Sequence, residues 1–173
     1  SIPRNRCRKY RIRMKKVFYS PFYQLYEFGF FIIIGTAAGM GQTVKACLQT
    51  LIGSIFSATF EASVLAAKAG VDGQALYNVF STSGAGCGCT NTALENIIDR
   101  KFEGTGSGIG TMHKDLTISL NLAEELEVPM QTASAAMQIF HAGKSKYPYG
   151  DNWACTKVIE DIVGSALYRE VVK

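Results

Sequence analysis

The stretch QTVKACLQTLIGSIFSATFEASVLAAKAG, residues 42–70, provides the main element of the fold. Its apolar residues recur at helical spacing and it contains no proline, so the pattern predicts one long and largely buried helix. The closing residue, Gly70, suits the left-handed conformation in which many helices end. Together with the five helices predicted after it, this helix indicates an all-α domain, with one strand before it as an α/β remnant.

Five further helices are predicted after it. Asp72 is a suitable N-cap for a short helix that ends near Ser83. A glycine-rich link at 103–111 separates the next two helices, and Pro129 fits the first turn of the helix after those. The remaining four helices are expected at about 90–100, 113–128, 129–142 and 153–172, with loops at 81–89 and 143–152.

The first 28 residues differ in composition from the rest. Residues 1–16 hold eight of the 18 Lys and Arg and no acid, which leaves ten basic against 14 acidic residues elsewhere. No basic surface for nucleic acid is therefore expected beyond that segment. Because the chain opens on Ser1, we expect a fragment in which a non-native or disordered leader, 1–28, precedes one domain, 29–173. A nucleic-acid-binding arm is the alternative for the leader.

The composition also bears on the cellular compartment and on whether the chain holds a metal ion. The uninterrupted apolar run at 28–34 is far shorter than the roughly 20 residues of a membrane span. Five scattered cysteines indicate a reducing compartment, so a cytoplasmic protein without a membrane partner is expected. Cys87 and Cys89 form a C-x-C pair, but zinc needs about four ligands and both histidines are distant in sequence, so no metal site is predicted.

The glycines before the long helix do not form a nucleotide cradle. Gly35, Gly39 and Gly41 lack the G-x-G-x-x-G spacing, and Lys45 follows the last glycine too late for a P-loop. The pattern instead predicts a strand at 30–35, a glycine turn, and a helix on which Lys45 and Gln49 share a face. The partial positive charge of the helix N-terminus favours an anionic ligand near these two side chains.

Four segments in order resemble a known family. These are GTAAGMGQTVKACLQ (35–49), EASVLAAKAGVD (61–72), KDLTISLNLAEELEVPMQTA (114–133) and GDNWACTKVIE (150–160). Together they resemble the C-terminal helical domain of the β-hydroxyacid dehydrogenases, which include the 3-hydroxyisobutyrate, tartronate semialdehyde and threonate types. The resemblance implies an all-α fold of the kind found in the C-terminal domain of 6-phosphogluconate dehydrogenase.

The resemblance also implies a set of site residues. Lys45 corresponds to the family's general acid/base, and Gln49 corresponds to an amide residue that holds the substrate. Gly39 and Gly41 belong to the glycine turn that lines the substrate site. Asp151 and Asn152 stand close to where the family often has a lysine that touches the cofactor. NAD or NADP and a small hydroxy acid are the implied ligands.

Three functions remain open at this stage. The first is the C-terminal half of an NAD(P)-dependent 3-hydroxyacid dehydrogenase, a homodimer through the helix at 42–69, inactive alone because only residues 30–35 resemble the family's Rossmann domain. The second is a non-catalytic helical dimerisation module derived from such an enzyme. The third is nucleic-acid binding through the leader.

Overall fold

The computed structural model describes residues 39–169. This part of the chain contains six α-helices, one 3₁₀ turn and no strand, which confirms the prediction of an all-α fold. The elements are α1 (Met40–Lys68), α2 (Gly73–Thr82), α3 (Gly88–Ile98), α4 (Ile109–Leu126), α5 (Gln131–Lys146), the 3₁₀ turn (Asn152–Ala154) and α6 (Cys155–Val163).

The chain divides into two compact units, residues 1–47 and 48–173. Of the first unit, the structure describes residues 39–47, which form the beginning of α1. The second unit contains the remaining helices and the hydrophobic core. The predicted leader at 1–28, its boundary with the domain and the predicted strand at 30–35 all lie outside the described residues.

The later turns of α1 supply one wall of the core, as the apolar spacing predicted. Phe56 packs edge-on against Trp153 with ring centroids 5.5 Å apart, and Phe60 meets Phe140 at 6.2 Å. A β-carbon on Gly53 would lie 2.9 Å from a methyl group of Leu116, so this glycine allows α1 to approach α4 closely.

The end of α1 also agrees with the prediction. Gly70 takes φ +79°, and the amide of Val71 donates to the carbonyl of Ala66 at 3.0 Å. This six-residue closure is the hydrogen bond of a Schellman motif. Asp72 then caps α2, because its carboxylate accepts from the amide of Ala75 at 2.8 Å.

Helix α1 is long and apolar enough to cross a membrane when judged by length and composition alone. Phe56, Phe60 and Val64 on this helix are nevertheless buried among the other helices. Only 39% of this apolar window is buried, however, and Leu51 and Leu65 are exposed, so the prediction of a largely buried helix was wrong.

Helix α3 begins earlier than the sequence pattern indicated. The thiol of Cys87 accepts from the amide of Thr90 and caps the helix, so Gly88 and Cys89 are already helical. The prediction of a loop that runs to residue 89 was therefore wrong, whereas α2 ends at Thr82, close to the predicted end near Ser83. Three inward residues of α3 were predicted correctly and are fully or almost fully buried: Leu94, Ile97 and Ile98.

Helices α4 and α5 are also shifted from their predicted bounds. Helix α4 starts at Ile109, inside the predicted glycine-rich link, because this buried residue docks through its amide on the carbonyl of Gly150. Pro129 precedes α5 instead of lying in its first turn. The helix then continues past the predicted loop start, since Gly143 packs directly against Cys155 and suits a close helix crossing.

The last helix is shorter than predicted. Residues 152–154 form a 3₁₀ turn, and α6 ends at Val163 because Gly164 takes the left-handed conformation with φ +66°. The chain then runs without helix to Arg169, whose amide donates to the carbonyl of Ile98. Leu167 is buried in this segment, so packing against α3 replaces the expected helical turns.

An ion pair with one buried partner closes this end of the bundle. The guanidinium of Arg100 makes two hydrogen bonds to the carboxylate of Glu160, at 2.6 and 2.7 Å, and a third to the carbonyl of Leu167. Because Glu160 is 6% exposed, its charge depends on this bidentate partner.

Candidate functional site

The predicted glycine turn leads directly into α1. Gly39 has φ +95°, a conformation that favours glycine, and its carbonyl accepts from the amide of Thr43 at 3.1 Å. Gly41 is the second residue of the helix and is buried. The backbone geometry therefore requires glycine at the position where the helix begins.

Lys45 and Gln49 both lie on α1, one helical turn apart. Lys45 is exposed, whereas Gln49 is half-buried. Residues four apart lie on the same side of a helix, so the ammonium and the amide project in similar directions. Oε1 of Gln49 is buried and accepts no hydrogen bond within residues 39–169, which leaves a carbonyl oxygen for a donor from a ligand.

The side chains of Asp151 and Asn152 are hydrogen-bonded to the glycine-rich link at 103–111. The carboxylate of Asp151 accepts from the amide and the hydroxyl of Thr105, at 2.6 and 2.7 Å. The side-chain amide of Asn152 donates to the hydroxyl of Ser107 at 2.8 Å. Both residues are buried, and the structure shows their side chains holding residues 103–108 in place.

Trp153 belongs to the same network. Its indole N–H donates to the hydroxyl of Thr105 at 3.1 Å, while its ring is buried against Phe56. No hydrogen bond or ion pair joins this network to Gln49 among the residues that the structure describes. The structure therefore places the predicted substrate-binding amide and the predicted cofactor residues in separate hydrogen-bond networks.

The Lys-Asp pair of the third matching segment lies on α4. Asp115 is buried and forms an ion pair with Lys114 at 2.6 Å. Lys114 is mostly exposed, so its charge remains accessible at the surface beside a buried carboxylate. This pair combines a local ion pair with an accessible cation.

Two histidines meet between α4 and α5, a contact that sequence reasoning did not predict. Nε2 of His113 lies 2.8 Å from Nδ1 of His141, and Nζ of Lys144 lies 3.4 Å from Nδ1 of His113. Burial, followed by the charges of Lys144 and His141, lowers the pKa of His113. No local sequence signal joins residues 28 positions apart on different helices.

The described cysteines are free thiols in contrasting settings. The hydroxyl and the amide of Thr90 lower the pKa of the exposed Cys87. Burial raises the pKa of Cys155 to about 12. Within residues 39–169, no group of three or more His, Cys, Asp or Glu side chains is arranged to hold a metal ion.

A family model described as NAD-binding of NADP-dependent 3-hydroxyisobutyrate dehydrogenase matches residues 39–159. The match covers well over half of the chain and begins at Gly39. The chain belongs to this family.

Individual relatives agree with the family match. The chain is 29% identical over 130 residues to L-threonate dehydrogenase of Escherichia coli K12, and this alignment covers 75% of the chain and 43% of that protein. The mitochondrial 3-hydroxyisobutyrate dehydrogenase of Rattus norvegicus is 28% identical over 117 residues, which cover 64% of the chain and 35% of the relative.

A solved structure supports the same fold. The crystal structure of 3-hydroxyisobutyrate dehydrogenase from Salmonella typhimurium superposes with a TM-score of 0.70 at 27% identity, covering 73% of this chain and 44% of that one. The chain thus spans less than half the length of the relatives that it matches.

Proposed function

We propose that this chain supplies the substrate side of the active site in an NAD(P)-dependent 3-hydroxyacid dehydrogenase. The observation that carries the proposal is the position of the family match, which begins at Gly39 and so includes Gly41, Lys45 and Gln49. Lys45 is exposed on the second turn of a helix that is anchored in the core by its later turns. A fixed backbone with a free ammonium head suits proton transfer.

Lys45 is proposed as the general acid/base. Its amine takes the proton from the substrate hydroxyl while the carbon that bears this hydroxyl loses hydride, and the ammonium returns the proton in the reverse direction. The nicotinamide cofactor, when bound, accepts the hydride. Gln49 would accept a hydrogen bond from the substrate through its unpaired Oε1, which orients the hydroxyl relative to Lys45.

A small hydroxy acid is the substrate class that fits. A carboxylate is favoured close to the N-terminus of α1, where unpaired amides and the helix dipole provide positive charge. Gly39 and Gly41 remove side chains from this end of the helix and let a ligand approach the backbone. These features support a 3-hydroxy acid and do not choose among members of that class.

Asp151 and Asn152 do not suit a direct contact with the cofactor. Asp151 is a buried carboxylate committed to Thr105, and a direct contact with an anionic pyrophosphate would be unfavourable. We therefore propose that Asp151 and Asn152 act on NAD or NADP indirectly, by holding the link at 103–108. The main binding surface for the cofactor would belong to a nucleotide-binding domain, so the chain alone is proposed to be inactive.

A dimer through α1 is proposed as well. Leu51 and Leu65 lie two heptads apart on this helix and are 58% and 73% exposed. Two large apolar side chains at this spacing favour a second helix against the same face. They also support the second candidate function, a dimerisation module without chemistry. Sedimentation of the parent chain and of Leu65→Glu tests it, since a parent that stays monomeric would contradict the dimer.

The cytoplasm is the proposed location. Cys47, Cys87, Cys89 and Cys155 are free thiols, which supports a reducing compartment.

A panel assay tests whether the chain is active by itself. The purified chain would be supplied with NAD or NADP and with 3-hydroxyisobutyrate, glycerate or threonate, alongside Lys45→Ala and the control Lys101→Ala, which changes an exposed lysine that is paired with Asp99 on another part of the fold. The proposal predicts no turnover by the chain alone. Turnover lost in Lys45→Ala would show that a complete cofactor site is present, whereas turnover unchanged in that variant would refute the role of Lys45.

A further inference from the structure

The histidine contact between α4 and α5 has no part in the proposed dehydrogenase site. The chain contains two histidines in all, and the fold brings both to one place. Their ring centroids are 4.8 Å apart with planes inclined at 66°, and His141 is exposed. The pair is therefore open to small ions from solvent.

The hydrogen bonds determine which nitrogen carries each proton. An ammonium has donors and no acceptor, so Lys144 donates to Nδ1 of His113. The proton of that neutral ring consequently lies on Nε2, which donates to Nδ1 of His141. Nδ1 of His141 thus accepts with its lone pair, and its own proton lies on the far side of the ring.

The spacing of the two facing nitrogens suits a metal ion. Imidazole nitrogens bind such ions at about 2.0–2.1 Å, so two of them at a right angle lie about 2.9 Å apart. The observed separation of 2.8 Å is that of a hydrogen bond in which Nε2 points at Nδ1, so the exposed His141 ring must turn for both lone pairs to meet at one ion. Right angles between ligands occur in the octahedral and square-planar geometries of Ni²⁺ and Cu²⁺, for which imidazole is a suitable ligand.

We propose that His113 and His141 form a bidentate surface site for a divalent late transition-metal ion of the Ni²⁺ type. The ion accepts lone pairs from Nε2 of His113 and Nδ1 of His141, and water fills its other positions. The proton of Nε2 moves to Nδ1 of the same ring, so no proton is released. Lys144, which is exposed, turns away from Nδ1 because both groups would then be donors.

In this arrangement, Lys144 weakens the binding of the metal ion. A metal-bound histidine is strengthened when its second nitrogen donates to an acceptor such as a carboxylate. Lys144 offers a positive charge and a donor at that place. Lys144→Glu should therefore tighten the site, while Lys144→Met, which removes the charge without adding an acceptor, should have a smaller effect in the same direction.

Calorimetric titration with Ni²⁺ tests the proposal on the full chain without an affinity tag. A background with Cys7→Ser, Cys47→Ser, Cys87→Ser and Cys89→Ser removes the thiols that would compete for the ion and leaves only the buried Cys155. The background protein should bind one ion, and His141→Ala should bind about 100-fold more weakly, because a chelate gains its second bond at a high effective concentration. His113→Ala should behave in the same way.

His141→Ala is the decisive variant, since the side chain is exposed and alanine favours the helix. Unchanged binding by His141→Ala, or no binding by the background protein at millimolar Ni²⁺, would overturn the proposal. A Lys144→Glu variant that binds no more tightly would overturn Nε2 of His113 as a ligand atom.

Discussion

The two ends of α1 differ in what they contribute. In the first three turns, Lys45 and Cys47 are exposed, and this end carries the residues assigned to chemistry. In the later turns, Phe60 and Ser63 are fully buried, and Phe56 is nearly so. The contrast shows that the buried contacts of this helix lie at one end, while Lys45, the residue proposed for proton transfer, lies at the other. Stability and function should therefore respond to different substitutions.

The sharpest test of this contrast compares Phe60→Ala with Lys45→Ala. Phe60 is fully buried and packs against Phe140, so its truncation should lower the free energy of unfolding by about 3–5 kcal/mol. Lys45→Ala should change it by less than about 0.5 kcal/mol, as expected for an exposed helical site. Urea unfolding followed by circular dichroism measures both, and equal losses would break the comparison.

The ion pair between Arg100 and Glu160 should contribute almost as much to the free energy of unfolding as Phe60. Arg100→Met leaves the buried carboxylate of Glu160 without its bidentate partner and should cost about 3 kcal/mol. The double variant Arg100→Met with Glu160→Gln removes that charge and should recover part of the loss. A double variant less stable than Arg100→Met would argue against an uncompensated charge as the cause.

Substitution of two glycines within helices should change the stability by smaller amounts, and in opposite directions. A β-carbon on Gly143 would overlap the sulfur of Cys155, so Gly143→Ala should lose about 1–3 kcal/mol. A β-carbon on Gly110 would meet no atom within 4 Å, and Gly110→Ala should gain up to about 1 kcal/mol from helix propensity. Thermal unfolding compares them, and similar shifts would show that the crossing of α5 and α6 tolerates extra volume.

The thiols extend the contrast between exposed and buried positions to other helices, and their reactivity can be measured without a substitution. Alkylation of the native protein at pH 8, read by peptide mass spectrometry, should be fastest at Cys87, because its lowered pKa provides more thiolate below the ordinary range. Cys155 should stay unlabelled until the protein is unfolded, since its pKa of about 12 leaves on the order of one thiolate in 10⁴.

Thr90→Val is the control, because it removes the hydroxyl that stabilises the Cys87 thiolate. The pH at which Cys87 reaches half of its maximal rate should rise in this variant. Labelling of native Cys155 as rapid as that of the exposed Cys47 would contradict the burial of this region.

Local signals in the sequence were sufficient for much of the fold. The period of apolar residues predicted α1, and single residues, Gly70 and Asp72, marked where one helix ends and the next begins. Where a boundary depends on distant contacts, the prediction failed. Gly164 ends α6 locally, but the segment after it packs on α3 instead of forming the predicted helical turns, and nothing within that segment indicates the partner.

The candidate site shows the same limit. Lys45 and Gln49 could be paired from their spacing, since four residues make one helical turn. The bonds from Thr105 to Asp151, and the contact between His113 and His141, join separate elements. Tertiary packing creates such contacts, and the amino-acid pattern around each residue does not contain them.

Lys45 is proposed as the proton-transfer group of a hydroxyacid dehydrogenase site. The most direct measurement joins this chain to the part of the E. coli L-threonate dehydrogenase that it does not cover, and follows NADH or NADPH formation from 3-hydroxy acids. We expect turnover by the parent fusion. In Lys45→Ala, the rate should fall by about 10²–10⁴-fold while the folding is unchanged. Equal rates in the two fusions, or no turnover by a folded parent fusion, would contradict the proposal.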